Sequence, residues 1–338
     1  MTLRTVLVGA SLTSCALVLS ACSDEPAEPV NPLTGLTGEV TGPVQAVKID
    51  NTPSGWPQQG LNAADVVYIE QVEGQVTRLM AIYASERPSE VYPVRSARES
   101  DLDLLGQYGD VILTYSGAND GVQQAIDDSP FTAVSEDQSP ELFGSVPGRV
   151  RPYQTSADVA MIADTFPDAA GVKDVGFVWD SDGAGGAGGD DGDTSENDEG
   201  AVWDAATPAE NWQVSFGKQS TGFTWDSQEE AWMWWMQDAP MKDAAGGDIF
   251  AKNVIVQYSD IEESKYVDVT GAFTPYTSTV GSGDAVIFRD GESLTATWER
   301  KDEGSPTEYR TADGRDVPLA PGGVWVLLAP KGNPINAS

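Results

Sequence analysis

An acidic, glycine-rich stretch in the middle of the chain constrains the fold more than any other sequence feature. Nine acidic residues and no basic residue lie between Asp180 and Asp204, and large apolar side chains are almost absent there. Such a segment buries too little apolar surface to offset the entropy of ordering it, which predicts a flexible, solvated linker or loop insertion. We therefore expect two domains, at residues 44–178 and 210–331, separated by a linker at 179–209 and followed by a tail at 332–338.

Two short patterns inside this stretch resemble calcium-binding motifs. Residues 185–190 match a calcium β-roll repeat once, and Asp191-Gly192-Asp193 resembles the start of an EF-hand loop. A β-roll needs tandem copies, and an EF-hand loop needs glycine at its sixth position, where this reading places Glu196. The sequence therefore predicts a plain acidic linker with at most weak calcium contact, and no cofactor.

The segment 44–178 mixes strand and helix patterns. Short apolar runs bounded by turn residues predict strands at 44–50, 65–73, 76–85 and 110–116, with a tight turn at Gly74-Gln75 between the second and third. Helical spacing predicts helices at 99–107, 118–128 and 156–166, the last capped by Ser156. This half is expected to be a mixed α/β domain.

Strand patterns dominate beyond residue 210. Arg289-Asp290-Gly291-Glu292 is a strong hairpin signal. The run Ala-Trp-Met-Trp-Trp-Met at 231–236 suits a strand buried on both faces, with a sugar-stacking aromatic platform as the alternative. The predicted fold class is therefore α+β, with a mixed α/β N-terminal domain followed by a mainly antiparallel β C-terminal domain.

The first residues of the chain predict a lipoprotein signal peptide at 1–21. One positive charge precedes an apolar stretch too short to span a membrane comfortably, and the stretch ends in Leu19-Ser20-Ala21-Cys22. We expect Cys22 to carry the lipid, because the similar pattern ending at Cys15 leaves too short an apolar core. Residues 22–43 would then form a tether from the membrane, and the mature chain would have no free thiol.

Composition excludes several classes of function. The formal net charge is −34 and the isoelectric point is near 4.1, so nucleic acid, which requires a basic surface, is not an expected partner. The chain contains no histidine, which excludes Ser-His-Asp triads, Cys-His pairs and histidine-ligated zinc.

Arginine placement points to a candidate anion site. Six arginines lie between positions 78 and 151. By contrast, Lys48 is the only lysine among residues 44–151. Arginine captures carboxylate or phosphate bidentately, and residues 93–98 (PVRSAR) precede a predicted helix, whose free N–H groups favour anions. Structural ion pairs with the many acids are the alternative. The candidate ligand-binding residues are Arg78, Arg95, Ser96, Arg98 and Arg151, with Asp50, Asn51, Glu70 and Glu73 setting polarity around them.

Several ordered motifs resemble the YerB-like bacterial lipoproteins, a family of paired domains of unknown function. The motifs lie at residues 31–35, 47–51, 57–61, 64–68, 72–74, 77–78, 93–98, 251–254, 283–291, 297–298 and 321–325. Family members carry a Lys-Ala-Pro-His-Asn type of run where this chain reads RVRPYQTS at 149–156. The resemblance therefore implies either that this histidine is not essential or that the present branch only binds.

The leading hypothesis is a non-enzymatic binding protein, lipid-anchored on the outer face of the bacterial cytoplasmic membrane. Its ligand would be an anionic cell-envelope group, such as a peptidoglycan carboxylate or a polymer phosphate. One alternative is a carboxylate-dependent or metal-assisted envelope hydrolase or transferase, using Glu70 or Glu73 beside Asp50. Another is a scaffold for membrane-protein partners, which an exposed apolar patch near Trp232 would favour.

Overall fold

The computed structural model describes residues 28–180, 202–266 and 273–337, and the first of these ranges holds the three α-helices that are described in full. Four short 3₁₀ turns accompany them, at Pro53–Gly55, Leu61–Ala63, Glu73–Gln75 and Pro140–Leu142. The regular elements are β1 (Gln45–Asp50), β2 (Val66–Val72), β3 (Val76–Tyr83), α1 (Ser100–Gly106), β4 (Ile112–Tyr115), α2 (Asp120–Asp127), β5 (Thr132–Ser135), β6 (Phe143–Ser145), β7 (Thr155–Ala157), α3 (Val159–Thr165) and β8 (Val178–Trp179).

Among the described residues after 201, Val202 and Trp203 are helical, and the other regular elements are strands. They are β9 (Thr207–Pro208), β10 (Asn211–Phe216), β11 (Gln219–Asp226), β12 (Ala231–Met236), β13 (Ala239–Pro240), β14 (Phe250–Ala251), β15 (Asn253–Ser259), β16 (Ile261–Glu263), β17 (Pro275–Thr277), β18 (Gly281–Arg289), β19 (Glu292–Arg300), β20 (Glu308–Arg310), β21 (Pro318–Leu319), β22 (Val324–Pro330) and β23 (Ile335–Ala337). Of the helices described, none is both long and apolar enough to cross a membrane. The α+β fold class is confirmed, with mostly antiparallel pairing in the C-terminal half.

An 11-stranded sheet forms the centre of the molecule and contains strands from both halves of the chain. Its order is β20-β19-β18-β15-β22-β2-β3-β1-β4-β5, with β9 paired to β19. The halves meet where β2 runs parallel to β22, from Val66 opposite Val324 to Ile69 opposite Leu327. Both strands are almost wholly buried, so each needs a neighbour on both edges. The two halves therefore share one sheet, and the boundaries assigned to separate domains stay a prediction.

Two apolar layers cover the two faces of this sheet. One face packs against α1 and α2. The other packs against α3 and a six-stranded sheet of order β13-β12-β11-β10-β23, with β14 beside β12. Trp232 and Trp234 are fully buried between the sheets, and the Trp234 ring lies 4.8 Å from that of Trp325. The prediction that residues 231–236 form a core strand is confirmed.

Local turn chemistry explains most of the boundaries between elements. Asp290 and Gly291 have φ values of 51° and 77°, as the β18–β19 hairpin requires. Gly74 and Gln75 form the predicted turn between β2 and β3, with φ values of 74° and 61°. The predicted Ser156 cap is wrong: Ser156 lies in β7, and the Asp158 carboxylate accepts the Met161 N–H at 2.8 Å to begin α3.

The predicted tether at 22–43 differs from the structure in its second half. Leu33 is fully buried, and the Asn31 side chain both accepts the Leu33 N–H at 2.9 Å and donates to Ser85 Oγ at 2.7 Å. The buried Leu33 side chain and the hydrogen bonds of Asn31 thus hold this segment against the folded body. The predicted tail also differs, because β23 pairs with β10. The predicted signal peptide, Cys22 and the calcium-like motifs lie outside the described residues.

Because the halves share one sheet, we expect truncation of a central side chain to destabilise the whole chain. Leu327→Ala removes a fully buried side chain from β22 and should lower the free energy of unfolding by about 2–5 kcal/mol. Leu36→Ala is the matched control, because this side chain is 51% exposed. It should change the free energy of unfolding by no more than about 0.5 kcal/mol. Urea unfolding followed by tryptophan fluorescence and circular dichroism measures both. Two separate transitions, with only one moved by Leu327→Ala, would contradict the shared core.

Candidate ligand-binding cleft

Seven strands of the central sheet run in the same direction, so their carboxyl ends lie on one side of the sheet. One of them is β19, which is antiparallel to β18, as β18 is to β15. β1 is parallel to β4, and β4 to β5. β2 is parallel to β22, and β22 to β15. β3 is antiparallel to both β1 and β2, so these two groups share one direction. Ligands of open α/β sheets bind beyond the carboxyl ends of such strands, and we call this side of the sheet the carboxyl edge.

The arginine-rich segment 93–98 lies across the carboxyl edge between β1 and β4. The Arg95 N–H donates to Lys48 O at 2.8 Å, and the Ser116 N–H donates to Arg95 O at 3.0 Å. The Ala97 N–H donates to Gly117 O at 3.0 Å. These backbone bonds continue the ends of both strands and fix where the side chains of Arg95 and Ser96 begin.

A cleft of about 230 Å³ opens beside this segment. The loops that follow β4 and β5 supply one side of it, and residues near the start of β7 supply the other. Its lining residues are Arg95, Ser96, Ser116, Gly117, Ala118, Glu136, Asp137, Arg151, Pro152 and Thr155. The structure thus brings together three of the predicted ligand-binding residues, Arg95, Ser96 and Arg151, at the place where the topology favours a ligand.

Both arginines of the cleft also contact protein groups. Arg95 Nε lies 3.0 Å from Asp50 Oδ2, and its Nη1 donates to Pro152 O at 3.3 Å. Its guanidinium lies 5.6 Å from the centre of the Tyr153 ring. Arg151 is 74% exposed and its Nη2 lies 3.3 Å from Glu136 Oε1. Arg95 is therefore held in place, whereas Arg151 is largely solvated.

Arg78 lies directly behind Ser96, in the interior. It is only 7% exposed, and its Nη1 donates to Ser96 O at 2.7 Å. Among the described residues no carboxylate lies within 4.0 Å of its guanidinium nitrogens. Burial, together with the positive charges of Arg98 and Arg95, lowers the pKa of Arg78 to about 9. Arg78 thus adds buried positive charge at the back of the cleft.

Arg98 and Glu73 form an ion pair outside the cleft. Arg98 Nε donates to Glu73 Oε1 at 2.7 Å and Nη2 donates to Oε2 at 2.8 Å. Burial alone would raise the pKa of Glu73, but the hydrogen bonds and charge of Arg98 bring it below its usual value. The bidentate pair satisfies both groups, so neither is placed to contact a ligand in the cleft.

Glu70 belongs to a buried triad with Lys48 and Asp101. Lys48 Nζ contacts Glu70 Oε1 and lies 2.7 Å from Asp101 Oδ1, and all three side chains are fully buried. Burial lowers the pKa of Lys48 to about 8, although the Asp101 carboxylate opposes this. Asp101 Oδ2 also accepts the Arg98 N–H at 2.7 Å, at the start of α1. The triad therefore joins β1, β2 and α1 and has a structural role.

Asn51 faces away from the cleft. Its Nδ2 donates to Thr77 Oγ1 at 2.8 Å, and its Oδ1 accepts from Gln58 Nε2 at 3.1 Å, on the side of the six-stranded sheet. Asp50 does not line the cleft, and its connection to the cleft is its ion pair with Arg95. Six of the predicted residues therefore do not line the cleft: Asp50, Asn51, Glu70, Glu73, Arg78 and Arg98.

Sequence reasoning missed four polar residues that line the cleft. Three of them share one sequence signal, because they follow directly after the apolar runs that form β4 and β5. The four residues are Ser116, Glu136, Asp137 and Thr155. Thr155 Oγ1 donates to Glu136 Oε2 at 2.9 Å, which fixes that carboxylate.

The carboxylates considered for hydrolytic chemistry do not meet in one site. Asp50, Glu70 and Glu73 pair with three different cations, Arg95, Lys48 and Arg98. Within the described ranges, no group of three or more acidic side chains is arranged to hold a metal ion. The geometry thus gives the hydrolase alternative no support.

Comparison with known proteins identifies the family. The N-terminal domain model described as "Protein of unknown function (DUF3048)" matches residues 33–172, and the C-terminal domain model of the same family matches residues 212–326. Together they cover about three quarters of the chain, which therefore belongs to the YerB-like DUF3048 family.

YerB of Bacillus subtilis is similar to this chain both in sequence and in structure. The protein named "Putative lipoprotein YerB", from strain 168, is 39% identical over 131 residues, which span 34% of this chain and 39% of that protein. The crystal structure of the YerB protein superposes with a TM-score of 0.73 at 21% identity, covering 91% of this chain and 100% of that one. The second similarity shows that the fold is shared.

We expect the buried triad to be essential for stability. Lys48→Met leaves the Glu70 and Asp101 carboxylates buried without their cation, and should lower the free energy of unfolding by about 3–5 kcal/mol. Adding Glu70→Gln removes one of those charges and should recover part of the loss. Chemical denaturation of the single and double variants measures both effects. A double variant less stable than Lys48→Met would show that the two side chains are not coupled in this way.

Proposed function

We propose that this protein is a lipid-anchored binding protein of the bacterial cell envelope whose cleft holds an anionic group. The observation that carries the proposal is the convergence of Arg95 and Arg151, with the hydroxyls of Ser96 and Ser116, on one cavity at the carboxyl edge. A cavity of about 230 Å³ accommodates a group of the size of a carboxylate-bearing residue or a phosphate rather than a large ligand.

Electrostatics support this proposal. Each guanidinium has five N–H donors, and the protein contacts of Arg95 use its Nε and Nη1 atoms, so donors remain for a ligand. Arg78 places a further positive charge behind Ser96, in a region of low dielectric where charge acts more strongly than in water. An anion in the cleft would offset the mutual repulsion of these arginines.

The envelope location rests on sequence and on the family. Cys22 ends a lipoprotein signal pattern, and a relative bears the name of a lipoprotein. Two or more acyl chains hold a protein stably on a membrane. The outer face of the cytoplasmic membrane would present the cleft to peptidoglycan carboxylates and to polymer phosphates, which are the ligands we propose.

The scaffold alternative lacks the surface feature that would favour it. Trp232 and Trp234 are fully buried and Trp235 is 9% exposed, so this run presents no apolar patch. The proposal therefore stays with the cleft.

We expect loss of the cleft arginine Arg95 to weaken binding of anionic envelope material. Arg95→Ala should reduce affinity for peptidoglycan fragments or polyglycerol phosphate about tenfold or more, and Arg95→Lys should recover little, because an ammonium lacks the planar fork. Arg310→Ala, which removes an exposed arginine paired with Glu308 and Asp316, is the matched control. Equilibrium binding with the purified chain, repeated at two salt concentrations, measures the loss. Equal affinity in all variants would reject the proposal.

We expect Cys22, and not Cys15, to anchor the protein. Cys22→Ser should move it from the membrane fraction to the soluble fraction and abolish incorporation of labelled fatty acid, whereas Cys15→Ser should do neither. Cell fractionation and metabolic labelling in a bacterial host measure this. Labelled, membrane-bound Cys22→Ser protein would place the lipid elsewhere.

A further inference from the structure

The cleft carries negative as well as positive charge, and the two acidic side chains that line it differ in their contacts. Glu136 already has two partners, Arg151 and Thr155. The Asp137 carboxylate also lines the cleft, but among the described residues it has neither an ion-pair partner nor a hydrogen-bond donor within contact distance. One wall therefore presents guanidinium donors, and the adjoining loop presents an exposed carboxylate without a protein partner among the described residues.

The backbone makes room for this acceptor. Gly117 is buried in the floor of the cleft, and a Cβ atom built there would lie 2.2 Å from Asp137 Oδ2. Gly117 does not have a positive φ value, so its backbone conformation does not require glycine. The missing side chain instead allows the Asp137 carboxylate to lie against the floor, on the loop after β5, beside the segment that holds Arg95.

We propose that the ligand is zwitterionic: a residue-sized group with an anionic moiety bound by Arg95 and a primary ammonium bound by Asp137. This inference rests on the proposed function and names the class of ligand for the same cleft. An ammonium donates three hydrogen bonds to acceptors such as the carboxylate, while the guanidinium binds the carboxylate or phosphate of the same ligand. A purely anionic group would meet Asp137 and Glu136 as like charges, which disfavours it.

Three dipeptide probes separate the two charges. Alanyl-alanine carries both, N-acetyl-alanyl-alanine carries only the carboxylate, and alanyl-alanine amide carries only the ammonium. With the full chain in detergent, calorimetry or ligand-observed NMR should show alanyl-alanine binding at least about tenfold more tightly than either singly charged probe. Asp137→Asn should abolish the preference for alanyl-alanine over the acetylated probe, because it removes both the partner of the ammonium and a like charge facing the carboxylate. Gly117→Ala should do the same by displacing the carboxylate.

The outcomes distinguish this inference from the proposed function. If the acetylated probe binds as tightly as alanyl-alanine and Arg95→Ala weakens both, the anion site stands and the zwitterion inference fails. If none of the three probes binds while peptidoglycan fragments do, the inference also fails. If Asp137→Asn weakens alanyl-alanine binding but Arg95→Ala weakens no probe, the anion site is wrong, and with it the zwitterion.

Discussion

The parallel pairing of β2 with β22 is the contact on which the rest of the structure depends. These strands lie about 260 residues apart in the chain, and they form the middle of the central sheet. Without this pairing, β2 and β22 would each expose an unpaired edge lined with apolar side chains, which is costly in water and prone to aggregation. The same pairing aligns the carboxyl ends of β15 and β22 with those of the N-terminal strands β1, β4 and β5, beyond which the cleft lies.

Charge balance is the second constraint at that edge. Four cationic and four acidic side chains lie within the network around segment 93–98: Lys48, Arg78, Arg95, Arg98, Asp50, Glu70, Glu73 and Asp101. Burying charges carries a desolvation cost of several kcal/mol for each ion, which only close pairing offsets. A chain with a net charge of −34 thus keeps a locally neutral interior. Arg78 and Asp137 lack a direct ion-pair partner among the described residues, and they lie directly behind the cleft and within it.

The sequence predicted local structure well and long-range assembly poorly. The alternation of residues 231–236 identified a core strand, because burial on a pleated strand leaves a period of two. The arginine-rich segment 93–98 stood out in the sequence, and two of its residues, Arg95 and Ser96, line the cleft. Yet Asp137 and Thr155 could not be found, because their proximity to Arg95 depends on the strand order β1-β4-β5. Glu70 looked like a site residue because a pattern of charges does not show which cation a buried carboxylate meets.

The packing of Asn31 and Leu33 fixes the point at which the segment after Cys22 joins the folded body. Asn31 binds Ser85, just past the end of β3, and β3 runs against β1, so this contact lies at the edge of the sheet opposite the carboxyl edge. Asn31 lies nine positions after Cys22, a reach of about 30 Å when the chain is fully extended. The lipid we propose on Cys22 would therefore be attached through the amino edge of the sheet. The cleft lies on the opposite side, one strand length of about 20 Å from that attachment point.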